Sequence, residues 1–335
     1  MPNAAPEHQL IDRFGRTVNY IRMSATDRCD LRCVYCMPEK MKFVPRNQLL
    51  TLEEMESIGR AFIGLGVDKI RITGGEPLVR QNILQLFRNL GEIEALRDLT
   101  LTTNATQLKK YARPLKDAGV TRINVSLDTL REDRFHSMTR VGELKKTLDG
   151  IEAAIACDFE QIKLNAVVLK NHNHDEIYDL VNFCIERAID ISFIEEMPLG
   201  ENTHHDRAAA YYSSDQIKAD LEQHFELLPT TKKTAGPTRY FQIKDLATHV
   251  GFISPHSHNF CEACNRVRLT VEGRLLLCLG QEHSVDLRRV VRANPGDTEA
   301  LNQAIIDSMQ IKPKGHDFNH NSQTVLLRHM NLTGG

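Results

Sequence analysis

Six of the eight cysteines in this 335-residue chain stand in two groups, and grouped thiols favour metal or redox chemistry. The first group is a C-x3-C-x2-C motif formed by Cys29, Cys33 and Cys36 in TDRCDLRCVYCMPEK. Zinc sites usually have four protein ligands. Three thiols in one loop, with no fourth cysteine or histidine nearby, instead favour a cubane iron–sulfur cluster with one iron left open. A zinc loop and three incidental thiols are the alternatives.

The second group lies near the C-terminus. Cys261 and Cys264 form C-x2-C, and Cys278 follows after thirteen intervening residues. A zinc site with three cysteines and a histidine is an alternative, because His256, His258 and His283 are close in sequence. A redox C-x2-C pair is a weaker one, since no thioredoxin-like context surrounds it.

Two arginines follow this C-x2-C pair on a predicted strand. Arg266 and Arg268 are two residues apart in NRVRLTV, so both side chains point to one face of the strand. Two guanidiniums beside a metal site suit a polyphosphate, whose oxygens arginine binds in bidentate fashion. Without the cysteines, a solvated strand face would be the better interpretation.

Six strand-plus-helix units are predicted between residues 17 and 197. The strand cores are TVNYIRMS, DKIRITGG, DLTLTTN, TRINVSLD, QIKLNAVVL and DISFIEEM. Thr51 and Glu54 form a capping box at the start of the first helix, which is predicted to end near Gly66. Such alternation predicts an α/β fold with a parallel sheet. Six units are too few for an eight-stranded barrel, so we expect a partial (β/α)6 TIM-like barrel, with its chemistry where strands end.

The pattern changes after about residue 200. GPTRYFQI, HVGFISP, VRLTV and RLLLC predict short strands separated by turns. We therefore predict a core domain at 12–230 and a C-terminal extension of short strands and helices at 231–335, which carries the second cysteine group. The last residues, HMNLTGG, have the composition of a flexible tail.

Composition excludes several classes of function. Lys+Arg 42 against Asp+Glu 44 gives a net charge of -2, so no overall basic field attracts nucleic acid. No apolar run approaches the roughly 18 residues of a membrane span, and no secretory signal is recognisable. We expect a cytoplasmic protein whose thiols stay reduced.

The first cysteine motif resembles that of the radical S-adenosylmethionine superfamily, with the aromatic Tyr35 before its last cysteine. The resemblance implies that the open iron binds the cofactor and that an electron from the cluster cleaves it to a 5′-deoxyadenosyl radical. Gly75 and Glu76 in ITGGEP match the segment that holds the methionine amino group. Ser126 and Met197, at later strand ends, match positions that contact the ribose and adenine.

Both cysteine motifs together, with ITGGEP between them and NRVRLT after the second pair, resemble the GTP 3′,8-cyclase family of molybdenum cofactor biosynthesis. This resemblance implies two [4Fe-4S] clusters and conversion of GTP to (8S)-3′,8-cyclo-7,8-dihydroguanosine 5′-triphosphate. The radical would take the ribose C3′ hydrogen, and C3′ would then attack guanine C8. The second cluster, on Cys261, Cys264 and Cys278, would present its open iron to the guanine base.

The same resemblance implies roles for further residues. The positions around GTP are Arg22, Arg71, Thr102, Lys163, Arg266, Val267 and Arg268. Gly334 and Gly335 would enter the active site, and with Arg266, Arg268 and the first three cysteines they form the predicted catalytic set. A homodimer and a downstream pterin-forming synthase are also implied, whereas the reductant is not. Two alternatives remain, a radical enzyme with an auxiliary cluster that acts on a peptide and a zinc-stabilised binding protein without catalysis.

Overall fold

The computed structural model describes residues 9–200, 206–234, 236–316, 318, 326 and 328–334. Within them the strands are β1 (Tyr20–Ser24), β2 (Lys69–Thr73), β3 (Asp98–Thr103), β4 (Arg122–Ser126), β5 (Gln161–Val167), β6 (Asp190–Ile194), β7 (Leu227–Pro229), β8 (Arg239–Ile243), β9 (His249–Ile253), β10 (Arg266–Leu269), β11 (Arg274–Leu276) and β12 (Ser284–Asp286). The helices are α1 (Leu52–Gly64), α2 (Ile83–Gly91), α3 (Leu108–Asp117), α4 (Glu132–Thr139), α5 (Leu144–Ile155), α6 (Ile177–Glu186), α7 (Arg207–Ala210), α8 (Ser214–Leu221), α9 (Leu287–Ala293), α10 (Thr298–Met309) and α11 (Met330–Thr333).

The six predicted strand-plus-helix units are confirmed. Strands β1 to β6 are neighbours in sequence order and pair in parallel throughout. Helix α1 begins with the predicted capping box, in which the Thr51 hydroxyl accepts from the Glu54 amide and the Glu54 carboxylate accepts from the Thr51 amide. The fold is thus the expected α/β class, with a parallel sheet consistent with a partial barrel.

The C-terminal strands extend this sheet at both edges. Strand β10 pairs in parallel with β1, and β9 pairs in parallel with β6. The sheet order in the described residues is β12-β11-β10-β1-β2-β3-β4-β5-β6-β9-β8-β7. The region after residue 230 therefore contributes strands on both sides of the six core strands. The division at 230 stays a prediction, because a shared sheet does not show where separate folding units begin.

The two faces of the sheet differ in chemistry. On one face, Ile21 and Met23 of β1 pack with Ile58 and Phe62 of α1 in the main apolar core. Side chains alternate along a strand, so Tyr20 and Arg22 point to the opposite face and line a cavity. Helix α1 thus packs on the apolar face, and the opposite face lines the cavity. None of the described helices is long and apolar enough to cross a bilayer.

Candidate functional site

The first three cysteines lie in the loop after β1, at the end of a parallel strand where chemistry was expected. The Leu31 amide lies 3.3 Å from Cys29 Sγ, and the Cys36 amide bonds to the Cys33 carbonyl over 3.0 Å. Burial raises the pKa of all three thiols, that of Cys36 to about 12, and neighbouring thiols and carboxylates contribute to the rise at Cys29 and Cys33. Thiolates in such surroundings need a cationic partner, and iron supplies one, so this donor set fits a cluster.

The ITGGEP segment packs directly against the cysteine loop. The Gly75 amide donates to the Thr26 carbonyl over 2.6 Å, and the Glu76 amide to the Arg28 carbonyl over 2.8 Å. A Cβ at Gly75 would lie 2.3 Å from the Arg28 carbonyl oxygen, so no larger residue fits without moving the backbone. The second glycine is thus required by the packing of the cysteine loop, in addition to any approach to a ligand.

Glu76 is fully buried, and its carboxylate already has three donors within the protein. They are the Thr103 hydroxyl at 2.8 Å, the Leu78 amide at 3.0 Å and the Asn104 amide at 2.7 Å. Burial raises the Glu76 pKa to about 8 despite these bonds. Glu76 therefore ties the end of β3 to the ITGGEP loop, and its predicted pairing with a cofactor ammonium remains a prediction.

Tyr35 and the ends of β4 and β5 form a second group of contacts near the first cysteines. The Tyr35 hydroxyl donates to Asp128 over 2.7 Å, and Asp128 also accepts from the Val167 amide over 2.8 Å. Ser126 ends β4 in register with Asn165 of β5. Sequence reasoning missed Asp128 and Asn165, although Asp128 closes the INVSLD segment that also contains Ser126.

A central cavity lies on the polar face of the sheet. It is lined by all three C-terminal cysteines, by Met197, and by six of the seven residues predicted around GTP: Arg22, Arg71, Lys163, Arg266, Val267 and Arg268. Thr102 is the exception. The described lining also does not include Ser126, Gly75, Glu76, Tyr35 or the first three cysteines. The cavity thus joins the second cysteine group to the cationic residues, and the first cysteine group lies outside it.

The cationic wall of this cavity follows from strand register. Arg22 of β1 is the register partner of Arg71 on β2 and of Arg268 on β10, so three arginines stand in one row. Arg266 and Lys163 bring the number of basic side chains to five, and no carboxylate is among the described lining residues. Like charges repel at this spacing, so a wall with this many basic side chains suits a polyanion.

The pKa values reflect this excess of positive charge. Burial and the positive charge of Arg71 together lower the Lys163 pKa to about 7. Burial also lowers the Arg22 pKa to about 10, with Arg71 and Arg266 contributing. For Tyr20, burial acts in the opposite direction, but Arg71 and Arg22 bring its pKa down to about 8.

Several polar atoms around the cavity have no hydrogen-bond partner among the described residues. They include Asn124 Nδ2 and Asn165 Oδ1, both on lining residues, and the hydroxyl of Thr102, which pairs in register with Asn124. Buried polar atoms are normally hydrogen-bonded, so unpaired ones at a cavity indicate a bound ligand or water. Thr102 thus lies one strand from the lining rather than on it.

The described part of the C-terminal tail lies beside both groups of site residues. Arg268 donates through Nη1 to the Gly334 carbonyl, and the Asn331 side chain donates to the Asp27 carbonyl over 2.8 Å. The backbone amide of Asn331 also donates a hydrogen bond to the Cys36 sulfur, and Met330 lines the cavity. Gly334 has a positive φ of 74°. Gly335, the other predicted tail residue, lies outside the described residues.

The second cysteine group is in a cationic environment. Lys312 Nζ lies 3.6 Å from Cys264 Sγ. Burial alone would raise the Cys264 pKa, but Lys312 and Arg266 hold it below its usual value. Two of the three histidines considered as zinc ligands have other partners, His256 Nε2 the Glu196 carbonyl at 2.9 Å and His258 Nε2 Asp215 at 2.8 Å.

The zinc alternative gains no support. Within the described ranges, no three side chains of Cys, His, Asp or Glu are arranged to hold a single metal ion. A cubane places each cysteine on a different iron, so its ligands are spread more widely than those of one tetrahedral ion.

Comparisons with known proteins agree with this geometry. Residues 23–184 match the model of the radical SAM superfamily, and residues 189–318 match that of Molybdenum Cofactor Synthesis C. Superfamily membership implies a [4Fe-4S] cluster and S-adenosylmethionine. Among solved structures, SuiB of Streptococcus suis bound to S-adenosylmethionine has a TM-score of 0.63 at 18% identity, covering 87% of this chain and 69% of that one. At this identity the likeness shows the fold alone.

Two curated relatives match almost end to end. The GTP 3′,8-cyclase of Saccharophagus degradans is 56% identical over 97% of this chain and 98% of its own length. That of Marinobacter nauticus is 55% identical over 98% of this chain and 100% of its own length. The chain therefore belongs to the GTP 3′,8-cyclase family of the radical SAM superfamily.

Proposed function

We propose that the central cavity with five basic side chains is the GTP site and that the two cysteine groups act on the nucleotide held there. The observation that carries this proposal is the lining itself, with Arg22, Arg71, Lys163, Arg266 and Arg268, no carboxylate among its described residues, and three thiols at one end. A triphosphate supplies negative charge that these basic side chains can bind. Conversion of GTP to (8S)-3′,8-cyclo-7,8-dihydroguanosine 5′-triphosphate is the reaction of the family.

The first three cysteines hold the [4Fe-4S] cluster that works with S-adenosylmethionine. When bound, the cluster and cofactor would supply the radical that removes a hydrogen atom from ribose C3′. The C3′ radical would add to guanine C8, and one electron from the reductant with one proton would complete the 7,8-dihydro product. The chain's contribution is position. Gly75 allows the cysteine loop to pack closely, Tyr35 and Asp128 brace that loop, and Ser126 and Met197 are the proposed contacts of the cofactor's nucleoside.

The row of Arg71, Arg22 and Arg268 orients the triphosphate, since three side-by-side guanidiniums match a chain of phosphate oxygens. Lys163 and Arg266 add charge around the row, and Val267 contributes backbone or packing contacts. Thr102 supports this wall through its register partner Asn124. Gly334 accepts a hydrogen bond from Arg268, and Asn331 of the same tail donates to the carbonyl of Asp27, just before the first cysteines.

Cys261, Cys264 and Cys278 hold a second cluster. With three protein thiolates as ligands, such a cluster would offer its remaining iron to the guanine base. Support comes from the location of all three cysteines on the lining of the cationic cavity. The predicted core at 12–230 and extension at 231–335 would then supply one cluster each, although their strands share a sheet. A homodimer, a downstream pterin-forming synthase and a cytoplasmic location also stay predictions.

The test uses two serine variants of the full chain, reconstituted with iron and sulfide without oxygen. Cys29→Ser should abolish formation of 5′-deoxyadenosine, while Cys264→Ser should retain cofactor cleavage and lose the cyclised nucleotide. Retained cyclisation by Cys264→Ser would contradict the second site. Iron and zinc analysis of the native chain tests the binding-protein alternative, because two cubanes require about eight irons. Cleavage that depends on a peptide and ignores GTP would favour the peptide-modifying alternative.

A further inference from the structure

The segment 312–316 packs against the second cysteine group. Lys312 follows α10 and is 1% exposed, although lysine is almost never fully buried. A Cβ at Gly315 would lie 3.2 Å from Cys261 Sγ, and one at Gly280 would lie 2.4 Å from the His316 Cβ. The segment therefore packs against all parts of the group, from the C-x2-C pair to the turn after Cys278.

The Lys312 ammonium uses its three donors within this packing. They reach the Leu277 carbonyl at 2.7 Å, the Arg266 carbonyl at 3.2 Å and Cys264 Sγ at 3.6 Å. Leu277 immediately precedes Cys278, and Arg266 is two residues after Cys264. One side chain thus connects the start of β10, after the C-x2-C pair, to the residue that immediately precedes the third cysteine.

A buried ammonium is costly unless an anion accompanies it. The hydrogen-bond partners of Lys312 among the described residues are two carbonyls and a sulfur, with no carboxylate. The sulfur is the one partner that can carry a full negative charge. A metal-bound cysteine at position 264 would therefore give this ammonium an anionic partner.

Arg16 fixes the same segment from its other side. Its guanidinium donates to the carbonyls of Pro313 at 2.7 Å, Lys314 at 2.6 Å and Cys261 at 2.7 Å. Asp12 holds Arg16 in place through an ion pair of 2.6 Å. The segment is thus anchored independently of Lys312, so loss of the ammonium need not release it.

We infer that Lys312 is a positioning residue of the second cluster, which holds Cys264 and Cys278 at the required spacing and raises the reduction potential of the cluster through its charge and its hydrogen bond to sulfur. Hydrogen bonds to sulfur and nearby positive charge both favour the reduced, more negative cluster. The inference rests on the proposed second cluster, and the experiment separates the two.

The experiment is performed in a full-length background in which Cys29, Cys33 and Cys36 are all serine, so that iron reports only on the second group. Lys312→Met removes the charge at similar volume, and Lys312→Gln keeps a donor without charge. Lys314→Met is the matched control, because this exposed lysine is two residues away in the same segment. Iron per chain, circular dichroism and the midpoint potential from titrations followed by electron paramagnetic resonance are measured for each.

Lys312→Met should shift the potential downward, so that the ratio of reduced to oxidised cluster at a fixed potential falls at least tenfold, equal to about 59 mV for one electron. Lys312→Gln should also lower the potential, and this variant replaces Lys312→Met in the test if the methionine variant does not fold. Lys314→Met should match the background. A folded Lys312→Met or Lys312→Gln chain with full iron and an unshifted potential overturns the role of Lys312. Failure of the background itself to bind about four irons would instead reject the second cluster.

Discussion

Replacing Arg22 with methionine should stabilise the ligand-free protein and weaken its binding of GTP. Arg22 is the middle member of the arginine row, with Arg71 on one side and Arg268 on the other. Neighbouring strands are about 5 Å apart. At that separation, two like charges repel by about 3 kcal/mol at an effective dielectric constant of about 20.

The pKa of Arg22 indicates a further cost of its charge, of which burial is the largest cause. Burial, with Arg71 and Arg266, lowers this pKa from 12.5 to about 10. A difference of that size corresponds to about 3 kcal/mol against the charged form at neutral pH. Methionine removes the charge and fills similar space, but it also loses the contacts that Arg22 makes. We therefore expect the free energy of unfolding without ligand to rise by about 1–3 kcal/mol.

GTP binding should change in the opposite direction. Removal of one member of a desolvated, hydrogen-bonded charge pair costs about 2–5 kcal/mol. At about 1.4 kcal/mol per factor of ten, the dissociation constant should rise by about 30-fold to several thousandfold. The added stability thus comes at the cost of function, as is common where a site concentrates like charges.

The assay combines urea unfolding without ligand and calorimetric titration with GTP in the absence of S-adenosylmethionine. Arg113→Met is the control, because Arg113 is an exposed arginine on α3. It should leave both quantities within about 0.5 kcal/mol of the native chain. A less stable Arg22→Met protein, or one that binds GTP with native affinity, would show that the arginine row is compensated within the protein.

Three further predictions concern single side chains. Lys163, with a pKa of about 7 rather than 10.5, is mostly neutral at pH 8. A bound triphosphate raises that pKa, so GTP binding at pH 8 should be accompanied by the uptake of close to one proton. Calorimetry in buffers of different ionisation enthalpy measures this uptake, and Lys163→Met should remove it. Gly75→Ala should displace the cysteine loop, so the reconstituted chain should lose about half of its iron, counted by iron analysis. Tyr35→Phe leaves Asp128 without its 2.7 Å donor and should cost about 1–3 kcal/mol in urea unfolding.

The sequence predicted the local features of the fold well. Periodicity over a few residues predicts the six βα units and the shared face of Arg266 and Arg268. The capping box at Thr51 follows from a motif of four residues. Pairing of β10 with β1 could not be predicted in this way, because it joins Arg22 to a residue about 250 positions later. The arginine row depends on that register. Lys312 was missed for the same reason, since KPKGH contains no signal for a contact with a cysteine 48 residues earlier.

The net charge of -2 also concealed a separation of charge between the two cysteine groups. Near the first group, burial is the largest cause of the raised pKa values of Cys29 and Cys33, and Asp30, Glu76 and Asp128 also contribute. Near the second, Lys312 and Arg266 lower the pKa of Cys264 against the effect of burial.

Both groups offer three thiols, so clusters bound there would differ mainly in their surroundings. A negative field disfavours the reduced cluster, so the first cluster should have the lower potential and be the stronger reductant. The second should be easier to reduce, and its cationic wall suits an anionic substrate better than the cleavage of a sulfonium. Potential titrations of the chain with Cys29, Cys33 and Cys36 changed to serine, and of its counterpart lacking Cys261, Cys264 and Cys278, compare the two clusters directly. A lower potential at the C-terminal group would mean that solvent exposure or the bound ligand outweighs the fixed charges, and the assignment of roles from the surrounding charge would then be wrong.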